Sequence, residues 1–379
     1  MKLLDRYVLR NFLEPFFICF AGFIAIWLIF DLSDNGPDFI EAKASFKVVA
    51  FFYLMQLPQT ILISLPVGLL LALLYSLSRM SRSNEIISML TAGRSILRMI
   101  LPLVVVGIVA TGVCMALSYQ LAPHAEAVKK VAIENIGKKR RPGEVESVNG
   151  HLFRDRLNNR TWYVAKLTPG SMQLAGVHIT QQTPDGRIVK KWYARRAVFD
   201  PKGQTWSLNR GMAIEFDEKG DITGTDQFED GYRVVKGWSE TPWRIASSHL
   251  EPQHLTVPEL EVYLRENADF PAAQLAPYRA TLADRWAFPW TCLIVVFVAA
   301  PLGIVFSRRG VLAGVAGSIF IFFGMIMLRY LFLALGKGDR LPPAVASWLP
   351  IGFFFALGML LLYYRTTNRD LPKFGFGRR

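Results

Sequence analysis

Runs of uncharged, apolar residues long enough to cross a lipid bilayer constrain this chain more than any other feature. Residues 99–117 contain no charged side chain, and a helix of about twenty apolar residues spans the roughly 30 Å hydrocarbon core of a membrane. Residues 293–306 and 311–328 have the same character. Hydrophobic residues make up 52% of the 379 residues, and they are concentrated in such runs. The chain is therefore predicted to be an integral membrane protein.

Six spans are predicted, in two groups of three on either side of a polar middle region. Residues 1–14 place apolar and basic side chains on different sides of a helix, which predicts an interfacial helix before the first span. The motif Asn35-Gly36-Pro37 predicts where the first span ends. The spans are placed at about residues 15–32, 48–78, 99–121, 282–306, 311–335 and 344–364.

The middle region, residues 122–278, has the pattern of a β domain. Short runs of β-branched and aromatic residues alternate with turn signals such as Pro184-Asp185-Gly186. This spacing predicts an all-β sandwich or jellyroll-like domain. The predicted fold class is therefore an α-helical membrane protein with six transmembrane helices and an inserted all-β, jellyroll-like domain. The predicted divisions are residues 1–121, including a cytoplasmic helix at about 81–98, then 122–278, 279–365 and a tail at 366–379.

The distribution of charge excludes a nucleic-acid partner and sets the predicted orientation. The net charge is +13, but residues 122–278 carry 22 Lys and Arg against 20 Asp and Glu. The basic excess therefore surrounds the apolar runs, in the chain ends and in the loops at residues 79–98 and 308–309. Because basic loops stay on the cytoplasmic side, both termini are predicted to be cytoplasmic and the β domain to lie outside.

The sequence contains no motif typical of an enzyme active site, so no catalytic residue is predicted. No Walker A pattern occurs, and ATP-driven transport would therefore need a separate ATPase. The five histidines are scattered without ligand spacing, so no metal site is predicted, and no cofactor is expected to bind this chain. Cys19, Cys114 and Cys292 all lie in apolar segments, which is typical of small buried residues.

The basic insert at residues 79–98 is the most specific candidate for an interaction. Ser81 or Ser83 is a candidate helix cap, and Glu85 falls in the first turn, where the helix dipole favours an acid. One interpretation is an interfacial helix that rests on anionic lipid. The other places its apolar face in a groove of a cytoplasmic partner, with Glu85 paired to a cation. The candidate contact residues at helical spacing, with an arginine beside them, are Ile86, Met89, Leu90, Gly93 and Arg82.

Four stretches of the chain together carry a family resemblance. They lie at residues 3–16, 65–102, 299–310 and 341–350, and the resemblance covers nearly the whole chain in order. With three spans on either side of a β domain, the chain resembles the LptF/LptG family of lipopolysaccharide-export permeases. Residues 65–102, which include the basic insert, are the most specific part of this resemblance.

The resemblance implies a multi-pass permease subunit of an ABC-type exporter in the inner membrane of a Gram-negative-type bacterium. Such a subunit pairs with a second LptF/LptG-type permease, and a cytoplasmic ABC ATPase dimer hydrolyses the ATP. It extracts lipopolysaccharide, and its periplasmic jellyroll domain passes the lipid to bridge proteins of similar fold. The helix with Glu85 corresponds to the family's coupling helix, and spans one and five correspond to lateral gates. The choice between an LptF-like and an LptG-like subunit stays open, with a slight preference for LptG-like.

Candidate cavity and gate residues lie on the first and fifth spans. Arg329 interrupts an apolar run, and an arginine inside a membrane is costly to expose to lipid. Two roles remain open for it, namely binding a lipid phosphate and extending to the nearby interface. Asp31 lies where some family members carry basic residues, which suggests a different head group or an Asp31–Arg329 pair. The other candidates suit acyl chains, with packing or lipid contact as their alternative role: Phe23, Trp27, Phe30, Phe320, Phe323 and Met327.

Two other function classes remain as alternatives to a lipid exporter. A secondary transporter of small solutes is disfavoured because the two groups of spans show no internal repeat and no midplane acid for ion coupling. A membrane-anchored periplasmic scaffold with no transport role is disfavoured because six spans are more than an anchor needs.

Overall fold

In the computed structural model the chain divides into two compact units, and each is described by itself. The membrane unit comprises Met1–Lys138, Pro252–Glu261 and Ala272–Arg379, and the β unit comprises Lys139–Glu251 and Val262–Pro271. The structure describes residues 3–41, 43–123, 125, 148–168, 171–228, 231–247, 250–304 and 308–367. The predicted basic tail lies outside the described residues from residue 368 onward.

Among the described residues, six helical segments are long and apolar enough to cross a membrane, which confirms the six predicted spans. The fourth span consists of two helices joined by the 3₁₀ turn Phe288–Trp290, and the third continues into the π-helical turn Leu117–Leu121. The helices in chain order are α1 (Leu3–Glu41), α2 (Phe46–Arg82), α3 (Glu85–Thr91), α4 (Ile96–Ala116), α5 (Pro242–Ser247), α6 (Val257–Glu266), α7 (Ala272–Ala287), α8 (Thr291–Gly303), α9 (Arg308–Lys337) and α10 (Pro343–Thr366).

The first span and the segment before it form one continuous helix, so the predicted separate interfacial helix and the predicted break near residue 35 are wrong. α1 runs through both Pro15 and Pro37 and ends at Glu41. The Asn35 side chain donates a hydrogen bond back to the Asp31 carbonyl at 3.0 Å instead of forming a turn. A proline removes one hydrogen bond from a helix, whereas leaving the helix in an apolar environment would strand several backbone groups.

The α8 helix lies at the centre of the membrane unit, and glycines let the neighbouring helices approach it closely. Nearly all of its side chains are buried. At Gly107 on α4, Gly303 on α8 and Gly358 on α10, an added Cβ would lie 2.9 Å from a side-chain atom of the facing helix. Small residues allow such close contact between membrane helices. α8 thereby fixes the positions of α2, α4 and α10.

The described residues of the β unit form a seven-stranded antiparallel sheet, which confirms the predicted all-β region. Six strands are neighbours in chain order, from β1 to β6, and β7 pairs with β5. The runs rich in β-branched and aromatic residues became strands because such side chains pack well on a pleated, half-buried surface. The strands are β1 (Val148–Asp155), β2 (Arg160–Leu167), β3 (Gln173–Gln182), β4 (Ile188–Asp200), β5 (Thr205–Phe216), β6 (Ile222–Gln227) and β7 (Tyr232–Lys236).

The inner face of the sheet holds an aromatic core with a buried ion pair. The ring centroids of Trp162 on β2 and Trp206 on β5 are 5.0 Å apart, so the sheet curls until these non-neighbouring strands touch. Arg160 donates to both carboxylate oxygens of Glu240, at 2.9 and 2.7 Å. Burial raises the pKa of Glu240, and the charge of Arg160 opposes that rise. A fully bonded polar network of this kind fixes one arrangement of the core.

Candidate functional site

The predicted coupling helix starts at a left-handed residue and not at a serine cap. Asn84 is the N-cap of α3, with a φ of 60° and no capping bond from its side chain. Ser81 Oγ donates instead to the carbonyl of Gly303 at 3.2 Å, and Ser83 Oγ donates to Glu85 at 2.8 Å. The expected serine cap is therefore wrong, because the first hydroxyl joins α2 to α8 and the second bonds a carboxylate.

Two hydroxyl groups of the same chain hold the Glu85 carboxylate. Tyr7 Oη on α1 donates to Oε2 at 3.0 Å, and Ser83 Oγ donates to Oε1 at 2.8 Å. The side chain is half-buried. Among the residues that the structure describes, no lysine or arginine forms a salt bridge with it. The carboxylate is thus oriented, and its charge is available to a cation on another molecule.

The apolar face of α3 packs into the membrane unit, which corrects the prediction that this face enters a partner's groove. Ile86 is 1% exposed and Met89 is 8% exposed, while Leu90 packs partly buried against the same core. Burying these apolar side chains against the ends of the spans stabilises the folded protein relative to leaving them exposed to water. The surface that α3 presents outward includes Ile87 and Ser88.

Gly93 ends the helix and does not extend its apolar face. Its φ is 80°, its N–H donates to the Leu90 carbonyl at 3.0 Å, and the next N–H, of Arg94, donates to the Met89 carbonyl at 3.2 Å. These are the two hydrogen bonds of a Schellman motif, which favours glycine at this position. Helical spacing alone could not separate this role from a place on the apolar face.

A groove of about 830 Å³ runs along α2 toward the residues that precede α3. Leu71 and Tyr75 form part of its apolar section, and Arg79 and Arg82 lie toward the end of α2. Cys19 on α1 and Val315 on α9 also line it. Arg82, the last residue of α2 before α3, therefore also lines a groove between spans.

Arg329 forms a bidentate ion pair with Asp284 on α7. Nε donates to Oδ1 at 3.0 Å and Nη2 donates to Oδ2 at 2.6 Å, and the two side chains are 13% and 15% exposed. The guanidinium also lies 4.2 Å from the ring centroid of Phe288. The suggested pair with Asp31 is wrong, because the Arg329 guanidinium is held by Asp284, and α9 packs on α2, α7, α8 and α10 whereas α1 packs on α2 and α4. Asp31 is buried beside Tyr53 instead.

This ion pair lines a second cavity, of about 280 Å³, between α2, α7 and α9. One part of the lining is apolar and includes Ile63, Val67 and Ile326. The other part is polar and includes Arg285 and Lys337 besides the ion pair. The lining is therefore amphipathic, as a site for a molecule with an apolar part and an anionic part would be.

The aromatic gate candidates do not line either cavity. Phe320, Phe323 and Met327 are 80%, 62% and 76% exposed and lie on the face of α9 opposite the one that carries Arg329. On α1, Phe30 is 67% exposed. The other two candidates on that helix, Phe23 and Trp27, are half-buried. The Trp27 ring contacts the Tyr53 ring edge-on, with ring centroids 6.3 Å apart.

Asp284 is the site residue that sequence reasoning missed. It lies in the sequence Leu282-Ala283-Asp284-Arg285, at the start of the predicted fourth span. A charge at that position and a second charge near the end of the fifth span are the signal that could have paired them, since intramembrane charges are usually paired. The cavity lining from α2 carries no comparable signal, because it consists mostly of common aliphatic residues.

Comparison with known proteins agrees with this architecture. A sequence model of the family described as "Lipopolysaccharide export system permease LptF/LptG" matches residues 6–364. Two curated relatives are both lipopolysaccharide export system permease protein LptG, one from Escherichia coli strain K12 and one from Escherichia coli O6:H1. Each is 22% identical over 364 residues, which cover 95% of this chain and 97% of the relative. Since the match includes all six spans and the β unit, the chain belongs to the lipopolysaccharide export system permease family LptF/LptG.

Proposed function

We propose that this chain is the transmembrane permease subunit of an ABC-type exporter that extracts lipopolysaccharide from the inner membrane and passes it to a periplasmic bridge. A separate cytoplasmic ATPase dimer supplies the energy, both termini are cytoplasmic, and the β unit is periplasmic. The observation that carries the proposal is the family match over residues 6–364. Because both curated relatives are LptG proteins, the LptG-like role is preferred over the LptF-like one.

A second permease subunit would cover the apolar surfaces that this chain leaves open. In the most apolar 18-residue stretch of each helix, only 6% of the residues of α1 and 22% of those of α9 are buried within the chain. These helices flank the groove on α2, so a partner that packs against both would turn the groove into an enclosed cavity. Large exposed apolar surfaces are covered by lipid or protein, and Phe30 and Phe320 would lie in that contact.

The amphipathic cavity at Arg329 supports an anionic lipid as the transported molecule. Acyl chains would contact its aliphatic lining, and a head-group phosphate would lie near Arg285, Arg329 and Lys337. Because Arg329 already holds Asp284, a phosphate would have to compete with that carboxylate for the guanidinium. The pair would then break when lipid enters and re-form when lipid leaves.

The exposed side of α3 and the oriented Glu85 carboxylate are the proposed contact with the ATPase. Replacing Glu85 by Ala or Lys is expected to reduce ATPase copurification at least tenfold, because the cation on the partner loses its counter-charge or meets a like charge. Tyr7→Phe is the matched control, since it removes one hydrogen bond to Glu85 but leaves the carboxylate. Copurification from membranes and lipopolysaccharide transfer from proteoliposomes are the two measurements.

Unchanged copurification together with unchanged transfer in both Glu85 variants would refute the contact. Transport that survives removal of every partner ATPase would favour a secondary transporter instead. A photocrosslinking residue at Tyr75 in the α2 groove separates a transporter from a scaffold, because only a transporter should give a lipid crosslink that depends on ATP.

A further inference from the structure

Two arginines face each other across neighbouring strands on the outer face of the β unit. The pairing on either side places Arg195 on β4 opposite Arg210 on β5, and Gly176 on β3 opposite Arg195. Like charges directly opposite one another in a sheet are destabilising. Both arginines are exposed, and neither forms a side-chain hydrogen bond or ion pair with any residue in the described part of the chain.

The backbone is distorted where these arginines lie. Arg210 has a φ of 51°, a region that residues with a side chain rarely adopt. At the next residue, Gly211, an added Cβ would lie 1.8 Å from the Tyr193 carbonyl oxygen, so only glycine fits. Gly176 has a φ of 62°. The strands approach closely and bend here, and a strained side-chain-bearing residue at such a bend is often functional.

The bend opens a recess of about 500 Å³ whose described lining contains no acidic residue. Besides the two arginines, its lining includes the polar residues His178, Tyr193 and Gln227. The His178 ring contacts the Tyr193 ring edge-on, with centroids 4.9 Å apart, so these two side chains lie side by side in the wall. The recess therefore combines two guanidinium groups with further hydrogen-bond donors.

We propose that this recess is a binding site for a phosphate-class oxyanion. Two guanidinium groups bind the several oxygens of a phosphate in bidentate fashion, and the bound anion would relieve the repulsion between Arg195 and Arg210. A bare phosphate leaves most of 500 Å³ unfilled, so the recess also accommodates the group to which the phosphate is attached. The site lies wholly within the β unit and does not depend on the proposed coupling or transport role.

The test measures binding of inorganic phosphate to the full-length protein in an uncharged detergent by calorimetry, at constant ionic strength, with chloride as the competing anion. Arg195→Gln removes one guanidinium. Arg210→Gly removes the other and suits the backbone, because glycine readily adopts a φ of 51°, so the variant should fold. Arg196→Gln is the matched control, since it removes an exposed charge from the same strand outside the recess.

Phosphate is expected to bind the wild-type protein and to bind at least tenfold more weakly to Arg195→Gln and Arg210→Gly, with less than a twofold change in Arg196→Gln. The proposal is overturned if the wild-type protein shows no binding in the millimolar range. It is equally overturned if the two recess variants bind as well as wild type, or if the control loses as much affinity as they do.

A second titration separates a lipid head group from a free phosphate compound as the source of the anion. Dihexanoyl phosphatidate, a soluble phosphate monoester, is compared with inorganic phosphate. Binding at least tenfold tighter than that of inorganic phosphate, and weakened by Met212→Ser in the recess wall, assigns the site to a lipid head group. Equal affinity assigns it to a free phosphate compound.

Discussion

Replacing one partner of the ion pair between Arg329 and Asp284 should lower the free energy of unfolding far more than replacing both partners together. The two hydrogen bonds of 2.6 and 3.0 Å join side chains that are only 13% and 15% exposed. Loss of one partner from such a pair typically costs about 3–5 kcal/mol, because the remaining charge is left buried. We therefore expect Asp284→Asn and Arg329→Met each to destabilise the membrane unit by about 3 kcal/mol.

The double variant should lose much less than the sum of the two single variants. Replacing a buried ion pair by uncharged side chains of similar size is often close to neutral, so we expect about 1–2 kcal/mol for Asp284→Asn with Arg329→Met. The coupling energy of the double-mutant cycle would then be about 4–5 kcal/mol. The assay is reversible unfolding in mixed micelles, followed by the loss of helical circular dichroism.

A coupling energy within about 0.5 kcal/mol of zero would refute this reasoning, because independent sites are additive to about that extent. Lys337→Met is the control, since it removes a cation from the same cavity lining without breaking this ion pair. If it destabilises as much as Arg329→Met, the loss of any cation from the cavity would explain the effect, and the specific pair would not.

Two further predictions concern α3 and the β unit. Ile86→Ala should lower the free energy of unfolding by about 2–4 kcal/mol, whereas Ile87→Ala on the exposed side should change it by less than about 0.5 kcal/mol. A larger loss for Ile87→Ala than for Ile86→Ala in thermal unfolding would show that α3 packs with its other face inward. In the β unit, burial raises the pKa of Asp155, but hydrogen bonds from Asn158 and the charge of Arg244 outweigh burial and lower it below its ordinary value of 3.8. The stability that Asp155 contributes is therefore present above pH 3.8 and is lost as the pH falls through its lower folded pKa. Asp155→Asn should reduce this loss of stability at acid pH, as measured by denaturation curves over a series of pH values. An unchanged dependence of stability on pH would contradict the assignment.

The membrane spans followed from local sequence because their cause is local. An uncharged run such as residues 99–117 must be a helix in lipid, since each backbone group needs a partner within its own segment. The strands of the β unit were also readable, because alternation and turn motifs are short-range patterns. The end of the first span was not readable, since Asn35 and Pro37 favour a turn in water but remain helical in α1.

The roles of single side chains depended on contacts that no local pattern contains. Helical spacing identified the apolar face of α3 but could not say whether it packs inward or against a partner, and the structure buries Ile86. Arg329 was recognisable as a costly intramembrane charge, yet its partner lies 45 residues away in the chain, where the meeting of α7 and α9 decides it.

Sequence alone therefore determined that this chain crosses a membrane six times and carries a β unit between its two groups of spans, and it predicted a coupling segment around Glu85. Only the tertiary structure decided which faces of the spans line cavities, which charge Arg329 neutralises, and that Arg195 and Arg210 line one recess. Hydrophobicity and backbone hydrogen bonding act within a segment, whereas the pairing of charges and the shape of a cavity depend on which segments lie side by side.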